Sequence, residues 1–509
     1  MSFTSARLLL HFGLSRSTRD FGCFLSTPFH RKFSTTTAIP TAQKASEELL
    51  VVVGGGAAGV YGAIRAKTVA PRLNVLVIEK AKPLSKVKIS GGGRCNVTNG
   101  HCTDNMILAE NYPRGHKEFR GPFFDMHGPV DTMSWFTDHG VELKVEEDGR
   151  VFPVSNSSSS IIDCLMSEAE GRGVVMQTKK VVKTASANGG KFLLGIEKLT
   201  ASSVEYIEAD YLLIASGSSS QGYSLASQLG HSIVDPVPSL FTFKTADSQL
   251  AELSGVTFPK VKAKLALENV KRNIQQFTQV GPMLVTHWGL SGPAILRLSA
   301  WGARDLFSSG YKGMVTVDFI PDLHIEDVNS ILSRHKHQFA KQKVSNSYPP
   351  EFGLVKRFWK YILDRQGLSG DDLWASISNN SLFSIASVLK HCDFGVTGKG
   401  QFKDEFVKAG GVPLSEVSLT LCNVFLCMHT AFVDSLDAEF CVCFHEDPAE
   451  YNGKQNSFRF VLCRGGIECR RSNRRFQFSG KNAWSGGYIA GTTIGTRVND
   501  AHLTVLDLG

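Results

Sequence analysis

Residues Leu50 to Gly59 read LVVVGGGAAG, an apolar run followed by a glycine-rich turn. The β-branched residues predict a buried strand, and a helix is expected directly after the glycines. Gly54 permits the tight turn, Gly56 lets the backbone approach a pyrophosphate, and Gly59 lets helix and strand pack closely. The first helical N–H groups then face the phosphates. The spacing therefore predicts a dinucleotide-binding turn, with Ala57 and Ala58 as further candidate contacts.

An acidic residue follows at the position that this chemistry requires. A second apolar run, Val75 to Ile78, ends at Glu79, whose carboxylate can accept hydrogen bonds from ribose hydroxyls. An acid there favours a free ribose 2′-OH, and thus FAD or NAD over NADP. Lys80 is a further candidate cofactor contact. A chance glycine-rich turn is the simpler alternative, but strand, helix, second strand and acid in this order argue against it.

The N-terminal segment differs in composition from the rest of the chain. Residues 1–44 carry six Lys or Arg and one acidic residue, a net charge of +5, and the remaining residues carry only +3. A segment rich in Ser, Thr and Arg and poor in acids is typical of an organellar transit peptide. We expect a mitochondrial location, with the chloroplast as the alternative and a disordered tail as the simpler reading. The low net charge of residues 45–509, the body of the chain, gives no reason to expect a nucleic-acid partner.

The cysteines do not indicate a disulfide scaffold or a metal site. The chain has 11 cysteines in 509 residues, and no Cys-x-x-Cys pair occurs. Reduced thiols fit this pattern better than disulfides do. Six cysteines fall in one late stretch with spacings unlike a zinc site, so we expect no metal. We also expect no membrane span, because the longest uncharged stretch in that region is short and contains polar residues. The six late cysteines are Cys422, Cys427, Cys441, Cys443, Cys463 and Cys469.

Composition along the chain predicts an α/β fold with insertions. Residues 211–217, YLLIASG, read as a buried strand that returns to the dinucleotide-binding sheet. Short alternating strands follow, then helical patterns, and a closing helix of small residues begins near residue 483. The expected parts are a transit peptide (1–44), a first FAD-binding part (45–235), a β-rich insertion (236–325), a helical insertion (326–392) and a second FAD-binding part (393–509), with 421–480 atypical.

The most specific motif is Lys86 to Asn99, KVKISGGGRCNVTN. Together with GGGAAG it resembles the aminoacetone-oxidase/BaiN-type family of NAD(P)/FAD-dependent flavoproteins. Further matches are GRVFP at 149–153, THWGLSGP at 286–293 and AWSGGYIAG at 483–491. The resemblance covers roughly residues 48–420 and resumes near 481.

The resemblance implies an FAD-binding Rossmann-like domain built from both ends of the chain, with β-rich and small helical domains inserted between them. Arg94, Cys95, Asn96 and Thr98, together with Gly93, would lie on the flavin side of the site. Ala215 and Gly217 would lie near the cofactor at the end of the returning strand. A well-capped surface loop without a ligand is the simpler alternative for Arg94 and Asn96. Neither the resemblance nor the residues identify a catalytic base.

The family pattern fails between residues 421 and 480. The family carries a segment AGEV-x-x-VDG-x-TGG-(F/Y)-N before the AWSGG helix, and this chain has CRGGIECRRSNRRFQFS at 463–479 instead. One set of codons that encodes these residues gives AGEVLNVDGVTGGFNFQ when its reading frame is shifted by one nucleotide. We therefore hypothesise that a misplaced splice junction replaced the family segment with translated intron and an exon read out of frame.

The sequence as a whole predicts an FAD-dependent oxidoreductase that acts on a small molecule by hydride or electron transfer. Because no second GxGxxG occurs, NAD(P)H would dock transiently as electron donor, or the substrate would reduce the flavin and oxygen would reoxidise it. One alternative is an impaired flavoprotein-like chain that has lost part of its FAD site. A second alternative is an FAD-dependent RNA-modifying enzyme, which the charge of the body disfavours.

Overall fold

The computed structural model describes residues 48–102, 104–110, 122–201, 203–267, 277–400, 407–413, 426–427, 441–444 and 481–506. The predicted transit peptide lies outside these residues. So does most of the atypical segment, including all of residues 463–479.

The first part of the chain begins with the predicted strand–helix–strand unit. Strand β1 consists of apolar residues that are almost all buried, because neighbouring strands and helices cover both of its faces. In chain order the elements are β1 (Leu49–Val53), α1 (Ala57–Val69), β2 (Asn74–Glu79), α2 (Ser85–Gly93), α3 (Asn105–Glu110), α4 (Pro122–Met126), α5 (Pro129–Asp138), β3 (Leu143–Val145), β4 (Val151–Pro153), α6 (Ser158–Gly171), β5 (Val175–Thr178), β6 (Lys180–Asn188), β7 (Lys191–Lys198), β8 (Val204–Ala209), β9 (Tyr211–Ile214), α7 (Ser220–Gln228) and β10 (Val234–Pro238).

The middle part contains the inserted strands and helices. The alternation in its longest strand, Thr257–Ala266, places every second residue in the interior and the lysines outside. In chain order the elements are β11 (Phe243–Thr245), α8 (Ser248–Ala251), β12 (Thr257–Ala266), β13 (Thr278–Thr286), β14 (Gly289–Ser291), α9 (Pro293–Trp301), α10 (Ala303–Ser308), β15 (Gly313–Asp318), α11 (Ile325–Gln338), α12 (Lys356–Arg365), α13 (Asn379–Lys390) and β16 (Cys392–Lys399).

The last part of the chain returns to the first. Its described elements are β17 (Lys408–Gly411), β18 (Leu426–Cys427), β19 (Cys441–Phe444) and α14 (Lys481–Leu506).

The main sheet has the strand order β18-β19-β9-β1-β2-β5. Strands β5, β2, β1 and β9 run parallel, and β19 lies antiparallel beside β9. Two hydrophobic clusters cover its two faces. Helix α14 packs along α1 on one face, so both ends of the chain build this unit. The predicted α/β fold with a Rossmann-like sheet is confirmed.

The inserted part is a closed antiparallel barrel with the order β11-β14-β13-β12-β15-β16. Its core is continuous with that of helices α11 to α13. The predicted domain boundary at residue 393 falls inside β16, which pairs with β11 and β15. Residues 392–399 therefore belong to the barrel by their pairing. The remaining domain boundaries stay predictions.

Among the described helices, none is both long and apolar enough to cross a membrane. The same described residues contain no group of three or more His, Cys, Asp or Glu side chains placed to hold a metal ion.

Candidate functional site

The glycine-rich turn connects β1 to α1 at the carboxyl end of the parallel strands. Gly54 has φ +111°, and a Cβ there would lie 2.3 Å from the carbonyl oxygen of Ala215. A Cβ on Gly59 would lie 1.9 Å from the carbonyl oxygen of Gly54. Glycine is therefore required at both positions, for conformation at Gly54 and for space at Gly59. This packing brings the N-terminus of α1 directly over the ends of β1 and β9.

Glu79 supports the turn from the end of β2. Its Oε2 accepts a hydrogen bond from the N–H of Gly55 at 2.7 Å, and its Oε1 accepts one from the N–H of Ala81 at 2.7 Å. A carboxylate has about four lone-pair sites, so each oxygen retains acceptor capacity for a ribose hydroxyl. The side chain that the sequence assigned to ribose binding thus also orders the phosphate-binding turn.

A cleft of about 680 Å³ opens at this edge of the sheet. It is lined by the glycine turn, by Glu79 at the end of β2, and by Ala215 and residues at the start of α7. The volume is within the usual range for ligand pockets. Five lysines also line the cleft and give it the positive charge that suits a pyrophosphate; they are Lys80, Lys82, Lys86, Lys180 and Lys408.

Four of these lysines were not predicted as site residues. Lys82 and Lys86 follow Glu79 closely in sequence, so their position after the strand was a usable signal. Lys180 and Lys408 carried no such signal, because they reach the cleft from distant parts of the chain. Lys180 also pairs with Glu205, at 2.7 Å.

The second glycine-rich segment bends the end of α2 away from helical geometry. Gly91, Gly92 and Gly93 have φ values of +54°, +70° and +85° in succession. A Cβ on Gly91 would contact the ring of Phe152 at 2.9 Å, whereas none of the described atoms would lie within 4 Å of a Cβ on Gly92. One side of this loop therefore packs on the protein and the other is open for a ligand.

Arg94 is held in place by Glu146 and by Phe152 of the GRVFP motif. Its Nη1 pairs with Oε1 of Glu146 at 2.6 Å, and its guanidinium lies 3.8 Å from the ring centroid of Phe152. Arg150 pairs with the other oxygen of Glu146 at 3.0 Å. Arg94 and Arg150 thus share the carboxylate of Glu146, and Arg94 also stacks on the ring of Phe152. These contacts fix the position of the loop that carries Arg94.

The residues after Arg94 are buried. Cys95 has φ +60°, and the Oδ1 of Asn96 accepts a hydrogen bond from the N–H of Val151 at 3.2 Å. Thr98 is fully buried, and among the described residues its Oγ1 has no hydrogen-bond partner. A buried hydroxyl usually has a partner, so this atom is suited to contact a bound molecule.

The structure brings five of the predicted site residues into one cleft, and the other predicted residues do not line it. Ala57, Ala58 and Gly59 lie buried in the first turn of α1, where their backbone positions the turn. The assignments of individual side chains to the cofactor stay predictions. The cleft is lined by Gly54, Gly56, Glu79, Lys80 and Ala215, whereas Gly93, Arg94, Cys95, Asn96, Thr98 and Gly217 are not among its lining residues.

Helix α14 is held to the first helix by small residues. A Cβ on Gly487 would lie 2.5 Å from the carbonyl oxygen of Ala58, and one on Gly491 would lie 2.3 Å from that of Gly62. The small residues predicted to approach a ligand or another backbone therefore approach the backbone of α1. This close packing places the N-terminal turn of α14 beside the glycine-rich loop.

A buried polar cluster lies between α1 and the start of α5. The Nε2 of His127 is 3.2 Å from the hydroxyl of Tyr61 and 3.2 Å from that of Thr132. Burial lowers the pKa of His127 to about 4, with Asp131 opposing this shift and Arg65 adding to it. Burial also raises the pKa of Tyr61 well above its usual value. His127 is therefore neutral at pH 7, and the sequence analysis did not identify it.

Comparisons with known proteins identify similar sequences. Residues 48–432 match the family described as "HI0933-like protein Rossmann domain". The 3-dehydro-bile acid delta(4,6)-reductase of Clostridium scindens is 26% identical over 71% of this chain and 86% of that protein. The ribosomal RNA dihydrouridine synthase of Escherichia coli is also 26% identical, over 71% of this chain and 85% of that protein. A structure of CtdE in complex with FAD is 13% identical and covers 45% of this chain and 48% of that one, with a TM-score of 0.23.

Proposed function

Because the chain belongs to the HI0933-like Rossmann family of FAD-dependent oxidoreductases, we propose that it reduces a carbon–carbon double bond conjugated with a carbonyl group in a small molecule. Family membership confirms the predicted family, the enzyme class and FAD as the cofactor. To the family, the enzyme class and the cofactor we add the class of substrate.

The names of two relatives support this substrate class. One relative is a reductase of the 4,6-double bonds of a 3-dehydro bile acid, and the other forms dihydrouridine in ribosomal RNA. A steroid and a pyrimidine differ in shape, but both contain a double bond that a neighbouring carbonyl makes electron-poor. Such a bond accepts a hydride at the carbon remote from the carbonyl, and the carbon next to the carbonyl then takes a proton from water, which completes the reduction. The proposal depends on this one observation, that both substrates contain a double bond conjugated with a carbonyl group.

The residues of the cleft fit the cofactor that this reaction requires. Gly54 and Gly59 leave no room for a side chain, so the α1 N-terminus can approach a pyrophosphate. Glu79 lines the cleft and retains acceptor capacity that suits a ribose hydroxyl, and the cleft lysines supply positive charge that suits phosphates. When bound and reduced by NAD(P)H, FAD would supply the hydride. The protein supplies orientation through the glycine turn and through the loop held by Arg94.

We assign NAD(P)H the role of a transient electron donor, since the sequence contains only one GxGxxG turn and FAD would use it. A nicotinamide cofactor that binds, transfers its hydride and dissociates would need no separate GxGxxG turn. An oxidase, in which the substrate reduces the flavin and oxygen reoxidises it, is the competing mechanism.

A rapid-mixing experiment distinguishes these mechanisms. The FAD-loaded protein is reduced anaerobically with NADH or NADPH and mixed with 2-cyclohexenone, and the flavin absorbance is followed. Cyclohexanone, which lacks the double bond, is the matched control. We expect reoxidation by the enone and none by the saturated ketone. Reoxidation by oxygen alone, with no response to a panel of enones, would refute the reductase proposal and favour the oxidase.

Uridine in RNA is the second candidate substrate. Relatives in Escherichia coli and Haemophilus influenzae are named ribosomal RNA dihydrouridine synthase. The low net charge of the body led us to expect no nucleic-acid partner, but net charge does not report how charge is distributed over the surface. Transcribed ribosomal RNA as oxidant in the same assay tests this candidate, with digestion to nucleosides and detection of dihydrouridine.

For the N-terminal segment we propose mitochondrial targeting, with the chloroplast as the alternative. The support is the excess of Arg over acidic residues in residues 1–44. A fusion of these residues to a fluorescent protein tests the location, and a diffuse signal would refute both.

A further inference from the structure

A second cavity, of about 670 Å³, lies in the inserted helical region. It opens between the C-terminal half of α11 and the loop that leads towards α12. None of its lining residues belongs to the cleft at the glycine turn. The residues that matter for its chemistry are Arg334, His335, Gln338, Gln342, Tyr348 and Glu351.

The lining combines flat aromatic surface with hydrogen-bonding groups. Tyr348 is half-buried and stacks on Trp359, with 5.6 Å between the ring centroids. His335 is buried, and its Nε2 lies 2.8 Å from the hydroxyl of Ser347. Within the described part of the chain, the side-chain amides of Gln338 and Gln342 form no hydrogen bond, and both residues are exposed. Amides beside an aromatic face suit a nucleobase, which offers a π-surface and a polar edge.

The surface beside this cavity is strongly cationic. Residues 331–360 contain seven Lys or Arg and one acidic residue, Glu351. Lys356 and Lys360 lie one turn apart on α12 and are exposed, as is Arg357 between them. The Nζ of Lys356 donates a hydrogen bond to Oδ1 of Asn346 at 2.9 Å, and Asn346 also lines the cavity. The cationic turn and the cavity therefore adjoin.

Across the described ranges, two of these seven cations pair with carboxylates: Lys343 with Asp371 at 2.8 Å, away from the cavity lining, and Arg334 at the cavity itself. Arg334 pairs with Glu351 at 2.8 Å, and both side chains are well exposed. Exposed ion pairs contribute little to stability, so a phosphate can compete for Arg334 at small cost. Arg357 and Lys341 form no ion pair among the described residues, and both are exposed. The surface is therefore suited to a chain of phosphates and not to a neutral partner.

We propose that the inserted helical region binds single-stranded RNA, with a base in the cavity beside Tyr348 and the backbone phosphates along Lys356, Arg357 and Lys360. This proposal rests on the second candidate of the proposed function, in which RNA is the substrate. In this arrangement the surface binds the RNA strand, and the dinucleotide-binding unit carries out the redox reaction. Cations that track the backbone beside an aromatic platform are the general means by which proteins hold single strands.

The test measures binding and not turnover. A fluorescein-labelled 20-nucleotide uridine-rich RNA is titrated with the FAD-loaded full chain, and its anisotropy is recorded from 50 to 300 mM salt. The test variant is Lys356→Glu with Lys360→Glu. The matched control is Lys262→Glu with Lys264→Glu on the outer face of β12, which makes the same charge change at two exposed lysines. Flavin absorbance and thermal unfolding show that each variant is folded.

We expect at least tenfold weaker binding for the α12 variant and little change for the β12 variant. The slope of log K against log salt should become shallower by about 1.4, as expected for two lost phosphate contacts on a single strand. Equal weakening in both variants would overturn the proposal, because it would show a dependence on overall charge alone. Absence of binding by the unaltered protein would overturn it as well.

A second variant tests the base-binding cavity. Gln338→Ala with Gln342→Ala removes both amides without altering charge, and inorganic polyphosphate serves as a competitor without bases. Weaker RNA binding with unchanged polyphosphate binding supports the proposal, and equal effects on both ligands overturn the role of the cavity. RNA binding by a protein that fails to reduce any small-molecule enone would leave this proposal standing and refute the proposal of a small-molecule substrate.

Discussion

The indole N–H of Trp484 donates a hydrogen bond to the carbonyl oxygen of Val97 at 3.1 Å. The two residues are 387 positions apart, and both are buried. The contact joins the first turn of α14 to the loop that carries Cys95 and Asn96. Residues that are far apart in the sequence thus meet at this loop.

Substitution Trp484→Phe should destabilise the fold and lower its flavin content. Phenylalanine keeps an aromatic ring, although a smaller one, but the buried carbonyl of Val97 loses its donor, which costs about 1–3 kcal/mol. Urea unfolding measures the stability, and absorbance after gel filtration measures bound flavin. Trp288→Phe is the control, since Trp288 is 44% exposed on the barrel. Equal stability of the two variants would contradict this role of the hydrogen bond.

Substitution Gly491→Ala should force α14 away from α1. The added Cβ would lie 2.3 Å from the carbonyl oxygen of Gly62, and backbone at this distance must move. We expect a loss of about 1–3 kcal/mol in the free energy of unfolding. Gly171→Ala is the matched helical control, since none of the described atoms would lie within 4 Å of its Cβ. That control should be neutral or stabilising by up to about 1 kcal/mol.

Substitution Glu79→Ala should weaken FAD binding by about 10- to 100-fold. It removes the acceptor of the Gly55 N–H and a partner for the ribose, and hydrogen bonds to a charged group contribute about 1.5–3 kcal/mol. Flavin fluorescence quenching on titration of the apoprotein measures the affinity. Glu197→Ala, which removes only an exposed pair with Lys183, should leave it unchanged. An unaltered affinity in Glu79→Ala would exclude this carboxylate from the cofactor site.

Stability should fall as the pH falls from 6.5 towards 4 because of His127. Its folded-state pKa is about 4, below the ordinary value of 6.5, so in this range the unfolded chain binds more protons than the folded one. The stabilisation is fully present above pH 6.5, and its loss across the window is about 3 kcal/mol.

Urea unfolding at several pH values measures this dependence. His127→Gln should flatten the slope between pH 6.5 and 4, although it lowers stability at pH 7. His287→Gln, at an exposed position on the barrel, should keep the slope of the unaltered protein. A slope that survives in His127→Gln would assign the acid sensitivity to other groups.

Restoring the family segment should increase flavin binding. Residues 45–509 are expressed in two forms, one with the sequence as written and one in which AGEVLNVDGVTGGFNFQ replaces residues 463–479. The flavin absorbance of the two forms is then compared. Flavin only in the restored form would support the hypothesis of a shifted reading frame and the impaired-chain alternative. Flavin in both would show that the site tolerates the altered segment, and flavin in neither would count against the site assignment. A dominant transcript that encodes the present residues would refute the splice-error hypothesis.

Local patterns were sufficient to predict the dinucleotide-binding unit. The run of buried β-branched residues, Gly54, Gly59 and Glu79 lie within 31 positions of one another, and each follows from the geometry of one strand–turn–helix unit. The same holds for the barrel strands, whose alternation of apolar and polar residues is visible in the sequence. The resemblance to a flavoprotein family also depended on short motifs of this kind.

Only the tertiary structure decided which distant residues meet. Lys180 and Lys408 reach the cleft, Glu146 pairs with Arg94, and β16 joins the barrel across its predicted boundary. These relationships depend on strand pairing and helix packing between segments far apart in the chain, and no local periodicity encodes them. The small residues of α14 illustrate the difference: their size was visible in the sequence, but only the packing showed that they contact the backbone of α1.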